Sequence, residues 1–361
     1  MLLYPVYAVL FAETGLSAAE ISSLFAIWSV TGFVLEVPSG LWADVYSRRR
    51  LLTLAPLLSA AGFALWTFLP CYPSFAAGFV LWGAGSALRS GTLQALVYEE
   101  LSRARAQDSY ARLIGRARAV GTTAVLAADA LAGPVLAAGG YRALGIASVA
   151  ATLLGVPVAM ALPESRGQGE ETPDESFAAV LREGFAEVRG SPGARRCLVL
   201  VAALSGFDAM DEYVPLLARS TGVGPAVAPL LVLLVTAGVT VGGFLAGRGQ
   251  GRAAAPALAL AACCLAVGAM SGRAAGMVLV AVAFGVFQWA TVAADARLQE
   301  RIADGSRATV TSMAGFGTEV VAVVIFAGYA AGSRWTGPGP LFALAAVPYV
   351  VVAAALGRSR G

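Results

Sequence analysis

Acidic side chains recur inside long apolar segments of this sequence, where an ionised group is costly. Asp208, Asp211 and Glu212 lie three and four residues apart in one such segment, and this spacing places all three on one broad face of an α-helix. Three neighbouring carboxylates in a medium of low dielectric cannot all ionise cheaply, so at least one should hold a proton near neutral pH. The pattern predicts a group that loads and releases protons. The alternative is that Asp211 and Glu212 lie in water at the mouth of the segment and that only Asp208 is buried.

Four further ionisable residues lie within apolar segments. A charge at the centre of a membrane helix costs about 2.5–3.5 kcal/mol on insertion scales, and such a residue usually faces a cavity or a partner. Glu319 is central in its segment and Asp129 lies in the outer half of another, so each is expected to line a cavity or the interface between two halves of the protein. Glu36 and Arg89 have similar depths, which predicts that they approach each other or share a polar network. The alternative for Arg89 is that its long side chain only reaches out to the membrane surface.

The composition requires lipid as the solvent for most of the surface. The 361 residues are 58% hydrophobic and only 13% charged, whereas soluble domains average about 25% charged residues. No histidine is present, which excludes histidine-based catalysis and haem ligation. The four cysteines have no metal-type spacing, and neither a nucleotide-binding G-x-x-x-x-G-K-[ST] nor a G-x-S-x-G motif occurs. The sequence therefore predicts that the protein is not an enzyme and that it binds no metal or cofactor.

Twelve apolar segments, with short Gly- and Pro-containing turns between several of them, predict an all-α polytopic membrane protein. Residues 1–162 form a first six-helix half, residues 163–196 a polar linker with an amphipathic helix at 177–188, and residues 197–361 a second six-helix half. The first segment, 1–12, is shorter than the roughly 20 residues that a span needs, so a truncated first helix is expected. The predicted segments are 1–12, 20–41, 51–69, 75–98, 115–138, 141–162, 197–218, 225–246, 253–271, 274–294, 309–331 and 340–357.

Arginines mark the orientation of the chain in the membrane. If the loop after the second segment is cytoplasmic, most arginines, including Arg48, Arg49 and Arg50, fall on that side. Only four fall on the other side: Arg142, Arg219, Arg273 and Arg334. This bias follows the positive-inside rule and predicts that both termini are cytoplasmic.

The same loop carries a family signature. Gly40-x-x-x-Asp44-x-x-Ser47-Arg48-Arg49-Arg50 resembles the signature loop of the major facilitator superfamily, Gly-x-x-x-Asp-Arg-x-Gly-Arg-Arg, with Val45 and Ser47 as departures. The resemblance implies a gating motif in which Asp44 caps a helix of the opposite half and stabilises one gate state. The second copy, around Gly243 and Gly247, lacks the acid.

The resemblance also implies secondary active transport by alternating access. Gly133-Pro134 is loosely similar to a motif of drug:proton antiporters and favours proton-coupled efflux of a small organic solute across the cytoplasmic membrane of a bacterium. The alternatives are a proton-coupled nutrient symporter and a non-transporting sensor or partner on the same fold. The expected partners are substrate, protons and the lipid bilayer but no nucleic acid, and the chain is expected to be a monomer.

Overall fold

The computed structural model describes residues 1–90, 92–164, 192–246, 254–299 and 307–358. Within these ranges all regular structure is helical. The described residues contain fourteen α-helices: α1 Tyr7–Glu13, α2 Ala18–Val45, α3 Arg48–Phe68, α4 Tyr72–Arg89, α5 Thr92–Arg103, α6 Tyr110–Leu153, α7 Gly155–Met160, α8 Pro192–Phe207, α9 Val214–Ser220, α10 Ala228–Leu245, α11 Ala254–Met270, α12 Gly276–Gln299, α13 Arg307–Gly332 and α14 Pro338–Arg358.

Seven stretches among the described residues are long and apolar enough to cross a membrane. They are Ala18–Glu36, Arg48–Phe68, Gln107–Met160, Ala228–Leu245, Gly276–Gln299, Met313–Gly332 and Pro338–Leu356. A shorter apolar helix covers Ala254–Met270. The stretch Gln107–Met160 covers the two predicted segments 115–138 and 141–162. Between them Gly140, with φ 63°, interrupts the helical backbone of α6. Every predicted segment coincides with one or more helices. The predicted amphipathic helix at 177–188 lies outside the described residues.

Two predicted segments are interrupted, which apolar patterning did not indicate. The fourth, predicted as 75–98, ends as a helix at Arg89 and begins again at Thr92, because Ser90 has an extended backbone with ψ 138°. The seventh, predicted as 197–218, contains a 3₁₀-helix at Asp208–Tyr213 between α8 and α9. Both interruptions expose backbone or side-chain groups that a continuous helix would not offer.

The chain forms two compact units: Met1–Glu170 with Pro225–Leu230 (unit 1), and Glu171–Gly224 with Leu231–Gly361 (unit 2). In unit 1, α3 and α4 pack closely because their contact positions are glycine: a Cβ on Gly62 would come within 2.7 Å of the Gly78 carbonyl oxygen. Around this contact lies an aromatic core in which Trp66 and Phe79 have ring centroids 4.7 Å apart. The Trp66 indole N–H is satisfied by the Phe75 carbonyl at 3.1 Å.

Unit 2 is held by contacts of α8 with α13, and of α11 with α12 and α14. Small residues again permit the close approach of helices, because a Cβ on Gly242 of α10 would overlap the Gly285 carbonyl of α12. Small-residue interfaces of this kind are the usual means of packing helices in lipid, where apolar burial between helices gives little advantage.

Candidate functional site

The interruption of the seventh segment has a local cause. Pro215 has no N–H, and in a continuous α-helix its ring would collide with the carbonyl of Asp211, four residues earlier. The chain instead tightens into the 3₁₀-helix Asp208–Tyr213, and the Val214 N–H bonds to the Asp211 carbonyl oxygen. Proline therefore places a tight turn, with its three acids, in the middle of a predicted membrane segment.

This turn changes the predicted arrangement of the acids. Residues three apart eclipse each other in a 3₁₀-helix, so Asp208 and Asp211 share a side while Glu212 is rotated away. Asp211 is exposed and Asp208 is half-buried, whereas Glu212 is only 6% exposed. The carboxylates of Asp208 and Asp211 also interact electrostatically with each other. The three acids therefore form a pair and a separate buried member, rather than the single face expected from α-helical spacing.

Stacked aromatic rings flank the acidic turn. Both carboxylates of the pair interact electrostatically with Tyr349 of α14, whose ring is stacked on Phe287 of α12 at 3.6 Å. On the turn itself, Tyr213 is stacked on Tyr329 of α13, also at 3.6 Å. The acidic turn therefore lies beside stacked aromatic rings of α12, α13 and α14.

Glu319 lies on α13, a helix that packs against α8. A Cβ on Gly206 would contact Val321, which brings these two positions to the same level. Since Asp208 follows Gly206 by two residues and Glu319 precedes Val321 by two, the two acids lie about one helical turn apart along the axis. Glu319 is half-buried. It is a neighbour of the acidic turn within unit 2 rather than a member of it.

A charged cluster lies at one end of unit 1. The Arg48 guanidinium, at the first residue of α3, pairs with Glu99 of α5. Arg103 bridges from the same helix to Glu99 at 2.6 Å and to Glu100 at 3.2 Å. Arg49 and Arg50 are exposed beside this cluster. The signature loop is thereby tied to the end of α5.

The chain following α7 is also tied to this loop. The Ser47 hydroxyl donates to the Glu164 carboxylate at 2.5 Å, and the Arg49 N–H donates to the same carboxylate at 3.3 Å. A carboxylate at a helix N-terminus satisfies free N–H groups and complements the helix dipole, which offsets the three arginines at this helix end. The surroundings of Gly40 and of the Asp44 side chain are outside what the structure describes, so the predicted capping role of Asp44 stays a prediction.

Glu36 and Arg89 are placed at neighbouring positions but with different contacts. The Ser90 hydroxyl, exposed by the interruption after α4, donates to Glu36 at 2.9 Å. Arg89, one residue earlier, is exposed and lines a groove that also includes Ser59, Trp82 and Thr152. Glu36 therefore meets the hydroxyl next to Arg89.

Asp129 is fully buried in α6, with 0% exposure. On the same helix, the Ser148 hydroxyl accepts a hydrogen bond from the Leu3 N–H at 2.9 Å, so α6 packs against the first helical segment of unit 1.

A cavity of about 690 Å³ in unit 2 contains none of the predicted acids among its described lining residues. It is lined by apolar and small residues of α10, α11 and α12, together with Trp289, whose indole N–H can donate a hydrogen bond. Among the described residues, no group of three or more Cys, Asp or Glu side chains is arranged to hold a metal ion.

Sequence reasoning missed the residues that surround the acids. Tyr349 stands about 140 positions from Asp208 along the chain, so the sequence did not connect the two residues. Glu99 and Glu164 were equally hidden, because each follows an apolar segment as an ordinary interfacial charge would. A tyrosine directly after Pro348 in an apolar run was the one available signal, since a phenol in such a segment usually needs a polar partner.

Comparison of the sequence with protein families identifies the family of this chain. The sequence model described as Major Facilitator Superfamily matches residues 1–326. No curated protein matches the chain in sequence. Among solved structures, a mutant of the nucleoside transporter NupG is similar with TM-score 0.78 and 13% identity, over 99% of this chain and 95% of that one.

Two further solved structures have the same fold at low identity. A D-xylose-proton symporter is similar with TM-score 0.69 and 17% identity, over 98% of this chain and 92% of that one. A peptide transporter of the POT family is similar with TM-score 0.66 and 14% identity, over 99% and 93%. With its helical fold, its apolar helices and the signature loop at Gly40–Arg50, the chain belongs to the major facilitator superfamily and is a membrane transporter, not an enzyme.

Proposed function

We propose that this protein is a proton-coupled secondary transporter that exports a small organic solute, with Asp208, Asp211 and Glu212 as the coupling carboxylates. One observation carries the proposal: a 3₁₀ turn before Pro215 presents two adjacent acids and one buried acid within the predicted seventh segment. Coupling requires a group that is protonated in one state of the cycle and released in another. Adjacent carboxylates have this property, because the ionisation of one makes the ionisation of the other less favourable.

The surroundings of the turn favour a cationic or neutral amphipathic solute. Asp211 is exposed and supplies negative charge, while Phe207, Phe287 and Tyr349 form an aromatic cluster beside it. Aromatic faces and carboxylates together bind organic cations well. Exchange of such a solute for protons at one acidic site gives antiport without a separate coupling site.

In this proposal the signature loop controls the gate. The ion pair between Arg48 and Glu99 and the contact of Ser47 with Glu164 hold α3, α5 and the end of the first half together. We infer that Asp44 and Arg48–Arg50 stabilise one state of the gate, while the second copy of the loop, without its acid, contributes little.

Proteoliposomes with a trapped pH-sensitive dye test the coupling. Solute should drive proton movement through the wild-type protein. Asp208→Asn should abolish that movement, because one member of the acidic pair can no longer ionise. The matched control is Asp108→Asn, which removes an exposed acid between α5 and α6 and should leave proton flux unchanged.

The same assay separates the alternatives. Proton movement opposite to solute indicates export by antiport, and movement in the same direction indicates symport, the mode named for the D-xylose-proton symporter. Full coupling in Asp208→Asn would remove the acidic turn from the mechanism. Absence of flux for every solute in a panel of organic cations, neutral amphiphiles, nucleosides and sugars would favour a non-transporting role.

A further inference from the structure

Helix α12 of unit 2 has two chemically different faces. Val278, Val282 and Trp289 line the apolar cavity that this helix shares with α10 and α11. Phe287 lies on another face, where it is only 1% exposed and stacks on Tyr349 of α14. Since Tyr349 also interacts with the acidic pair, the face that carries Phe287 points into the unit, toward the residues of the proposed function.

Two polar side chains lie next to Phe287 on α12. Thr291 follows Phe287 by four residues and Gln288 by three, so the two polar residues are neighbours along this side of the helix. The Thr291 hydroxyl oxygen is buried and has no hydrogen-bond partner in the described part of the chain. A threonine in a helix can bond to the carbonyl four residues earlier, as Thr240 of α10 does. The Thr291 hydroxyl therefore remains available to another partner.

The Gln288 amide also makes no hydrogen bond to another described residue. Gln288 is half-buried, and its Cγ lies 3.9 Å from the position that a Cβ on Gly243 of α10 would occupy. Glycine offers no side-chain partner there. A glutamine amide has two N–H donors and a carbonyl acceptor, and leaving such groups unpaired away from water is unfavourable. The side chain is therefore suited to a partner from outside the protein.

The facing side of α10 is polar as well. Thr236 and Thr240 precede Gly243 by seven and three residues, which places all three on one face of α10. The Thr240 hydroxyl donates to the Thr236 carbonyl at 2.8 Å, and the Thr236 hydroxyl donates to the Val232 carbonyl at 3.2 Å. A hydroxyl oxygen that donates can still accept. The contact between α10 and α12 thus has an apolar side at the cavity and a polar side at Gln288.

We propose that Gln288 and Thr291 form a hydrogen-bonding subsite for the transported solute, and that this solute carries a primary amide or a similar group with a donor next to an acceptor. The Gln288 amide matches both parts of such a group, and the Thr291 hydroxyl adds a third hydrogen bond. The inference rests on the proposed function, because the acids and aromatic rings beyond Phe287 would hold the cationic part of the same solute. A site built to hydrogen-bond a polar group discriminates against an analogue that lacks it.

Isothermal titration calorimetry of the purified protein in detergent tests the subsite with two aromatic cations. One is N-methylpyridinium with a carboxamide on the ring, and the other has a methyl group in place of the carboxamide. The wild type should prefer the carboxamide cation by about fivefold for each hydrogen bond gained. Gln288→Leu and Thr291→Val should each reduce this preference about fivefold and leave the affinity for the methyl analogue unchanged.

Thr291→Val is also a test that a structural role would fail. Valine keeps the shape of threonine and removes a hydroxyl without a partner among the described residues, so the melting temperature should stay the same or rise. The matched control is Thr67→Val, which removes a half-buried hydroxyl of unit 1 that donates to the Phe63 carbonyl at 2.6 Å. This control should keep the full preference for the carboxamide cation.

Asp208→Asn separates the subsite from the proposed function. This variant should weaken the binding of both cations by the same factor and keep the preference between them. Unchanged affinities in Asp208→Asn would contradict the acidic site, whereas loss of the preference in Thr291→Val would still support the subsite. Equal binding of the two cations by the wild type, no binding of either, or full preference in both Gln288→Leu and Thr291→Val would overturn the inference.

Discussion

At the scale of single residues, three acids that look equivalent in the sequence have different surroundings in the structure. Asp208 and Asp211 form a pair that faces Tyr349, whereas Glu212 is buried away from them. The acids could be predicted because charges in apolar segments are rare and conspicuous. Their division could not, because it depends on the geometry of a 3₁₀ turn and on a tyrosine from a distant helix.

Tyr349→Phe tests the role of that tyrosine. The substitution keeps the ring stacked on Phe287 and removes only the hydroxyl, so the fold should lose no more than the roughly 1 kcal/mol of a typical hydrogen bond. Transport should fall about fivefold, because a loss of about 1 kcal/mol in one step of the cycle corresponds to roughly that factor. Initial rates of solute-driven proton flux in proteoliposomes, with melting temperature measured in parallel, provide the comparison.

The matched control is Tyr329→Phe. Tyr329 is also buried and stacked, on Tyr213, but its electrostatic environment includes no effect of Asp208 or Asp211. This variant should transport as the wild type does. Equal losses in the two variants would mean that the hydroxyls act only through packing.

At the scale of helices, apolar patterning predicted the order and approximate positions of the elements but not their interruptions. A run such as 75–98 reads as one segment because Ser90 and Gly91 are small and compatible with a membrane helix. The structure shows that the helix is interrupted at Ser90, whose hydroxyl donates a hydrogen bond to Glu36 on α2. Pro215 was a stronger signal, since proline cannot bond to the carbonyl four residues earlier, but it lay near the predicted end of its segment.

Gly242→Ala tests the close contact between α10 and α12. An added Cβ would overlap the Gly285 carbonyl, and backbone cannot move aside as a flexible side chain can. Overpacking of this kind costs about 1–3 kcal/mol. The variant should therefore melt several degrees below the wild type in detergent, as measured by intrinsic fluorescence.

The neighbouring glycine offers a close control. A Cβ on Gly243 would meet only the Cγ of Gln288, at 3.9 Å, and alanine has a helix propensity better by up to about 1 kcal/mol. Gly243→Ala should therefore be neutral or stabilising. A melting temperature of Gly242→Ala equal to that of Gly243→Ala would show that the two helices do not make this contact in the membrane.

At the scale of the whole molecule, helix α3 is long enough to cross the membrane from the charged cluster at Arg48 to the opposite face. Helix α3 has 21 residues, a length of about 31 Å at 1.5 Å per residue, which equals the hydrocarbon thickness of about 30 Å. Arg48 and the turn at Pro70–Pro73 must then lie on opposite sides. The arginine bias predicts that Arg48 lies on the cytoplasmic side, and Cys71 in that turn should then face the outside. Cys71 is exposed, as labelling requires.

Labelling of Cys71 with a membrane-impermeant maleimide in intact cells tests this orientation. The thiol is well suited to the experiment, because hydrogen bonding to Ser74, whose hydroxyl lies 3.3 Å from the sulfur, lowers the pKa of the Cys71 thiol below its ordinary value. The thiolate is the reactive form, so Cys71 should react faster than an ordinary exposed thiol at the same pH. Ser74→Ala removes the hydroxyl, and its labelling curve should move to higher pH.

Two variants decide the outcome. Cys71→Ser should abolish labelling from outside, because Cys197 is buried and Cys263 and Cys264 lie within the apolar helix α11. Asp108→Cys in that background places a thiol in the exposed turn between α5 and α6, beside Arg103 and Arg105. This thiol should react only after the cells are permeabilised. If Asp108→Cys reacted in intact cells while Cys71 did not, the orientation would be the reverse.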